Sequence, residues 1–296
     1  MVSTLKEFEL NFNDQFNYPY LFLNEIEFTM EFKTTILKHT KSKVIFSKIE
    51  EELWEIPKSV NQTLMTIKMQ ELKYQNISYA DSVSYRLMCR YQSYYLFQHK
   101  EVVNYDYVMR IEPDTHFFCK TKYDLFDYMK RNQLSYGFSI TLKEIPETIP
   151  TLFDTITKYI KQTKLTPLTY NLCHFWTNFH IIDTNFIKSN TYKKYFKYLE
   201  DNNNYFYERW GDAPVISLGL GLFRNASQIH HFSDLGYQHD KFVTCPNNPL
   251  IEVGVESRCR CPINFKEFFY DPGSCLPRFK NYEKIEFKKE HVDLLV

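Results

Sequence analysis

Glu112 and Asp114 stand either side of Pro113 at the end of a short apolar run, Tyr105-Asp-Tyr-Val-Met-Arg-Ile-Glu-Pro-Asp114. Tyr107, Val108, Met109 and Ile111 have the composition of a buried strand. Pro113 has no amide hydrogen to give to a ladder, so the strand is expected to stop there. Both carboxylates then fall just past its carboxyl end, the edge at which open α/β sheets bind ligands. Paired hard oxygens suit a divalent cation, and such a cation suits a diphosphate. The plainer reading makes them turn formers. The run alone leaves both open.

The rest of the chain bounds the chemistry. Its 296 residues fit one large domain or two small ones. Formal net charge is zero, which gives no bulk attraction to nucleic acid or anionic lipid. Glycine occurs only 7 times, with no dinucleotide fingerprint and no P-loop pattern. A bound nucleotide would therefore need a metal ion and side chains, not a glycine cradle, to hold its phosphates. The 23 tyrosines and 26 phenylalanines suit sugar stacking, although a compositional bias towards Phe, Tyr, Asn, Lys and Ile explains most of them.

Cys245, Cys259, Cys261 and Cys275 crowd a loop-like, Pro- and Asn-rich tail; Cys89, Cys119 and Cys173 lie upstream. Together with His239 the tail cysteines could form a zinc site, but Cys-x-Cys is not the usual spacing. Disulfides in an oxidising compartment fit better, and the odd count of 7 leaves at least one free thiol. Sequons at Asn61, Asn76 and Asn225 agree mildly with a lumenal location. No signal peptide or transmembrane run is visible, so a lumenal protein would have its targeting segment outside this chain.

Strands and helices alternate in the pattern. Strands are expected at 20–23, 43–46, 105–111, 136–142, 175–182 and 228–231. Helices are expected at 4–16, 28–36, 64–74, 80–99, 126–131, 151–162, 193–200 and 213–223. This order predicts a mostly parallel sheet with helices on both faces, with the region from 240 onward wrapping the core. On the 228–231 strand only one of His230 and His231 can face inward.

Several blocks then form a recognisable set: Ser84-Tyr-Arg-Leu-Met-Cys-Arg90, Arg110-Ile-Glu-Pro-Asp114, Thr148-Ile-Pro-Thr151, Tyr170-Asn-Leu-Cys-His-Phe-Trp176, Tyr207-Glu-Arg-Trp-Gly-Asp-Ala-Pro214 and Phe232-Ser-Asp-Leu-Gly-Tyr237. In this order, from about residue 10 to 276, they resemble the fungal α-1,2-mannosyltransferases of glycosyltransferase family 15. The resemblance implies a GT-A-type fold: a mixed, mostly parallel sheet flanked by helices, with an irregular cysteine-containing C-terminal wrap. It implies a single domain over 1–296, with a nucleotide-binding half over 1–110, a metal and acceptor half over 111–240, and the wrap over 241–296. Members are Golgi type II membrane proteins that transfer mannose from GDP-mannose to a mannose 2-hydroxyl, with retention, using manganese. Their products are O- and N-linked mannoprotein glycans. Association with other Golgi mannosyltransferases is a further expectation.

By the same resemblance, Glu112 and His239 match the metal ligands, with Asp114 beside the donor. Tyr85 matches a tyrosine near the phosphates and reaction centre. Arg86, Arg90 and Arg110 are candidate phosphate partners or surface ion pairs. Tyr207 and Trp210 are expected on the acceptor side, with Trp176 in the core. Glu208 and Asp212 are candidates for acceptor hydroxyl binding or base catalysis, and Arg209 could instead tie them into ion pairs. His174 is expected to be buried and hydrogen-bonded.

The chain departs from the family pattern at three points. His180 stands where the family usually has its candidate nucleophile, a glutamate. An upstream strand of the Thr-Leu-Val-Arg-Asn type, with the anchor and stem, is absent from the chain, suggesting a truncated gene model or degenerate paralogue. The segment between Phe153 and Tyr170 is shorter than usual. These departures leave alternatives: a front-face mechanism with no enzyme nucleophile, a substitute carboxylate at Asp183, Glu208 or Asp212, or a weak or inactive lumenal paralogue that binds mannosides or partner enzymes. A zinc-tail structural protein is a third class.

Overall fold

The computed structural model describes residues 1–246, 259–262 and 265–283. Eleven strands are assigned among them: β1 (Tyr20–Asn24), β2 (Val44–Lys48), β3 (Tyr107–Ile111), β4 (Thr115–Phe117), β5 (Tyr136–Phe138), β6 (Thr141–Lys143), β7 (Cys173–Phe175), β8 (Phe179–Asp183), β9 (Ile229–His231), β10 (Tyr237–His239) and β11 (Phe242–Thr244). They form a four-stranded sheet in the order β3-β8-β5-β9, a three-stranded sheet β11-β10-β4, and the pairs β1-β2 and β6-β7.

The α/β class is as the alternation implied, and the pairing inside it is mixed. β1-β2 and β5-β9 are parallel. The β3-β8, β5-β8, β4-β10, β10-β11 and β6-β7 pairs are antiparallel. The expected emphasis on parallel strands gives way because two apolar runs, each read as one strand, change partners midway. The 136–142 run breaks at Ser139-Ile140: β5 stays in the central sheet while β6 leaves to pair with β7. The 175–182 run breaks at 176–178, where the Trp176 amide donates to the Ile140 carbonyl at 2.9 Å. A division at residue 110 cuts through β3 and marks no structural boundary.

Local chemistry explains the helices that frame the site. Ser82 caps the helix Val83–Ser93 by accepting the Tyr85 amide at 3.1 Å, which places Tyr85 in its first turn. The helix Asp212–Phe223 is buried on every side from Asp212 to Leu220. A helix that apolar can only run through the interior. Pro214 sits in its first turn, where an amide hydrogen has no intrahelical partner to lose. His231 faces inward and His230 is half-buried, as strand alternation requires.

The cysteines form three disulfides: Cys119–Cys259, Cys173–Cys275 and Cys245–Cys261. Cys89 is free and buried. The sulfurs of Cys119, Cys245 and Cys261 lie within 4.8 Å of one another, yet each is committed to a disulfide, so the zinc reading of the tail fails. Two of these bonds fasten the tail to β7 and to the segment after β4, and the tail itself contributes β11 and the helix Leu276–Glu283.

Candidate active site

β3 ends at Ile111, and the Glu112-Pro-Asp114 turn carries the chain into β4. Thr115 pins the turn, its hydroxyl donating to the Glu112 carbonyl at 2.9 Å. In the β4-β10 ladder Thr115 lies opposite His239, so two stretches 125 residues apart meet at one sheet end. His239 Nε2 is 3.1 Å from Asp114 Oδ1.

Asn178, in the bend between β7 and β8, joins the two sides. Its carbonyl accepts the Glu112 amide at 3.1 Å, and its side-chain Nδ2 lies 2.6 Å from His239 Nδ1. Trp176 packs edge-on against the His239 imidazole, with centroids 4.7 Å apart. Asn178 thus touches the Glu112 backbone and the His239 ring, and His239 in turn reaches Asp114.

Behind them lies a buried charge network. Arg110 Nη1 donates to Asp212 Oδ2 at 2.6 Å, and Arg110 Nη2 donates to Glu112 Oε1. Burial works against the Arg110 charge, but the two carboxylates more than offset it and push its pKa above the ordinary arginine value. Glu112 Oε2 takes no hydrogen bond from the described residues and remains available to a ligand. The donor set of one imidazole and hard carboxylate oxygens fits manganese. With the Asn178 amide turned so that Oδ1 faces the ring, it would accept the His239 Nδ1–H and leave Nε2 as the coordinating nitrogen, the outer-shell arrangement of metal-bound histidines. In the structure Nδ2 faces Nδ1, and the buried Oδ1 has no partner, which that turn would give it.

The structure redistributes several sequence-based assignments. Arg86 and Arg90 are not free phosphate ligands. Arg86 is fully buried and donates to the carbonyls of Tyr79, Ser82, Phe206 and Glu208. Arg90 pairs with Glu200 at 2.8 Å and donates to the Leu53 carbonyl and the Tyr95 hydroxyl. Arg110 is spent on Glu112 and Asp212. These residues repeat on the inner face of one helix or end one strand, and burial obliges them to find internal partners.

Trp210 and Trp176 exchange places relative to expectation. Trp210 is fully buried and its indole donates to Glu208 Oε2 at 2.6 Å, so it cannot stack on a sugar. Trp176 is the half-buried tryptophan beside His239. Glu208 is further held by the Thr151 hydroxyl at 2.6 Å, and Asp212 by Arg110. Tyr207 is half-buried, with its hydroxyl accepting the Asn61 amide at 2.8 Å. Arg209 makes no ion pair with Glu208 or Asp212 among the described residues.

His180 is sealed in β8, between Arg110 on β3 and Phe138 on β5 in the ladder. It is 1% exposed, neither ring nitrogen has a hydrogen-bond partner, and its ring packs against Tyr136. Burial, then the nearby Arg110 charge, pulls its pKa down to about 3. A neutral, enclosed imidazole cannot act as the nucleophile. His174 is buried as expected, though its Nδ1 has no hydrogen-bond partner.

Tyr85 has a half-buried ring stacked on Tyr79 with centroids 4.6 Å apart. A sequence model of glycolipid 2-alpha-mannosyltransferases matches residues 1–284.

The chain belongs to that family.

Among curated relatives, glycolipid 2-alpha-mannosyltransferase 2 of Candida albicans is 38% identical over 98% of this chain and 65% of its own length. Alpha-1,2 mannosyltransferase KTR1 of Saccharomyces cerevisiae is 38% identical over 96% of this chain and 75% of its own. The crystal structure of core-mannan synthase A from Aspergillus fumigatus, in its Mn/GDP form, superposes with a TM-score of 0.87 at 35% identity, covering 95% of this chain and 80% of that one. This family member therefore has the GT-A-type fold of its solved relatives and spans about two thirds to three quarters of the curated relatives named here. Asn178 and Trp176 were not singled out as metal-side residues by sequence reasoning, although both lie in the 170–180 segment that supplied its family block.

Proposed function

We propose that this chain is a retaining α-1,2-mannosyltransferase that moves mannose from GDP-mannose to a mannose 2-hydroxyl of O- or N-linked mannoprotein glycans. One observation carries the reading: Asn178 links Glu112 to His239, and His239 reaches Asp114, in a fold shared with a relative solved with manganese and GDP.

Glu112 and His239 would hold Mn2+, with Asp114 alongside. The bound ion supplies Lewis-acid neutralisation of charge on the leaving diphosphate. Arg110 fixes Glu112 from behind and orients that carboxylate. Tyr85 offers a phenolic donor on the phosphate side as negative charge builds there. Trp176 gives an apolar wall beside His239 that limits water. With His180 enclosed, Asp212 paired and Glu208 fully hydrogen-bonded, no nucleophilic carboxylate is free at those positions. Transfer from the donor's own front face, guided by the departing phosphate, is the mechanism this favours.

The three disulfides support an oxidising, secretory compartment, and a Golgi lumenal site is the family-based reading. Among the described residues, no helix is long and apolar enough to cross a membrane. Association with partner mannosyltransferases remains part of this proposal.

The test is mannose transfer from GDP-mannose to methyl α-mannoside, with the linkage and anomer read by NMR. Manganese-dependent formation of an α-1,2 product is expected. Glu112→Gln and His239→Ala should each lower kcat/KM by about a hundredfold or more. Full activity in chelator, or in both variants, would overturn the assignment.

A further inference from the structure

Two disulfides of the tail lie close enough to react with each other. Cys119 pairs with Cys259 and Cys245 with Cys261, and the sulfurs of Cys119, Cys245 and Cys261 are within 4.8 Å of one another. Gly236 lies against both bonds. Its φ is +57°, and a side-chain carbon there would come 2.6 Å from Cys119 Sγ and 3.2 Å from Cys245 Sγ. Glycine therefore both turns the chain into β10 and lets the two sulfurs close over it.

The four cysteines are of two kinds. Cys119 and Cys245 are buried and fixed by the sheet that carries His239. Cys119 lies two residues past β4, and its amide donates to the Leu235 carbonyl at 3.0 Å. Cys245 follows β11 directly, and its amide donates to Glu267 Oε2 at 2.9 Å. Cys259 and Cys261 are half-buried and flank Arg260, whose amide donates to the Phe118 carbonyl at 2.8 Å. Their spacing is the period of an extended chain, so both side chains turn towards the same sulfur cluster. Sliding this stretch by two residues keeps that side facing the cluster, where a slip of one would turn it away.

We infer that these four cysteines form a latch with two settings: the pairing described above, and Cys119–Cys261 with Cys245–Cys259. A small thiolate of the glutathione class catalyses the change. It attacks the half-buried Cys259 Sγ, the bond to Cys119 breaks, and Cys119 leaves as the thiolate. Cys119 attacks Cys261 Sγ, and the bond from Cys261 to Cys245 breaks. The Cys245 thiolate then attacks Cys259 in the mixed disulfide and expels the small thiolate. Each step forms one S–S bond and breaks one, so there is no net oxidation. The setting decides which tail residue is tied to the end of β4, in the sheet that bears His239. The latch does not depend on the mannosyltransferase reading.

The experiment incubates the full native chain with reduced and oxidised glutathione, arrests exchange by alkylating free thiols, and maps the disulfides by mass spectrometry without reduction. Trypsin cuts after Arg260, which separates Cys259 from Cys261. The second pairing should reach about a tenth or more of the molecules, with Cys173–Cys275 unchanged. In Cys259→Ser, Cys119 becomes a free thiol beside Cys245–Cys261, and Cys119–Cys261 with a free Cys245 should form without added glutathione. Three results would overturn the latch: a parent that keeps only the first pairing, exchange that also scrambles Cys173–Cys275, or Cys259→Ser protein in which Cys119 rather than Cys245 is alkylated. If Cys259→Ser does not fold, the parent's map decides by itself.

Discussion

The side-chain amide of Asn178 lies 2.6 Å from His239 Nδ1, while the carbonyl of the same residue accepts the Glu112 amide at 3.1 Å. One residue therefore holds the two proposed metal ligands in register from behind. The oxygen of that amide, turned to the ring, would hold the proton on Nδ1 and leave Nε2 free to coordinate. Asn178→Ala should weaken manganese binding about ten- to a hundredfold. Quenching of Trp176 fluorescence by manganese, with Trp54 and Trp210 replaced by phenylalanine, reports the affinity directly, because the Trp176 ring packs on His239. Unchanged quenching midpoints in Asn178→Ala would reject the role.

His180 should be dispensable for transfer and expensive in acid. Its pKa, and that of His231, are lowered to about 3 by burial first and by nearby positive charge second. Unfolding restores the ordinary value near 6.5, so between about pH 3 and 6.5 the unfolded chain binds more protons than the folded one. Stability is then full above about pH 6.5 and falls as pH drops through that window, by up to about 1.4 kcal/mol per pH unit for each histidine. Urea unfolding at pH 5 and pH 7 should show the loss, and His180→Phe should reduce it by roughly one histidine's share while keeping kcat within about threefold. A hundredfold drop in kcat for this variant would restore position 180 to the chemistry.

The two tryptophans of the site blocks should separate by phenotype. Trp210 is a core residue whose indole holds Glu208, so Trp210→Ala should cost about 3–5 kcal/mol of stability. Trp176→Ala should leave the melting temperature closer to the parent and raise the manganese requirement, since its ring covers His239. Differential scanning calorimetry and metal titration distinguish them; the reverse pattern would contradict the exchange of roles described above.

Arg90 and Glu200 form a buried pair, 8% and 11% exposed at their side chains. Removing one partner strands the other charge, so Glu200→Ala should destabilise the protein by about 3–5 kcal/mol. GDP affinity of the folded fraction should not change. A selective loss of GDP binding, with normal stability, would return Arg90 to the phosphate side.

Much of this was legible from local chemistry. Pro113 was expected to stop the 105–111 strand, and β3 ends at Ile111; the helix expected at 213–223 is found as Asp212–Phe223. Each depends on residues within a turn or two, and so each can be read along the chain. The family resemblance likewise points to Glu112 and His239 as candidate ligands before any coordinates are known. Long-range partners are another matter. Whether Arg86 or Arg90 is left for an anion depends on which carbonyls and carboxylates other segments deliver: the Phe206 and Glu208 carbonyls to Arg86, Glu200 to Arg90. The same holds for Trp176 against Trp210, and for Asn178 standing behind His239. A guanidinium, an indole or an amide carries the same label in the sequence wherever it ends up; burial and the competition for hydrogen-bond partners, which exist only in the folded chain, decide what it does.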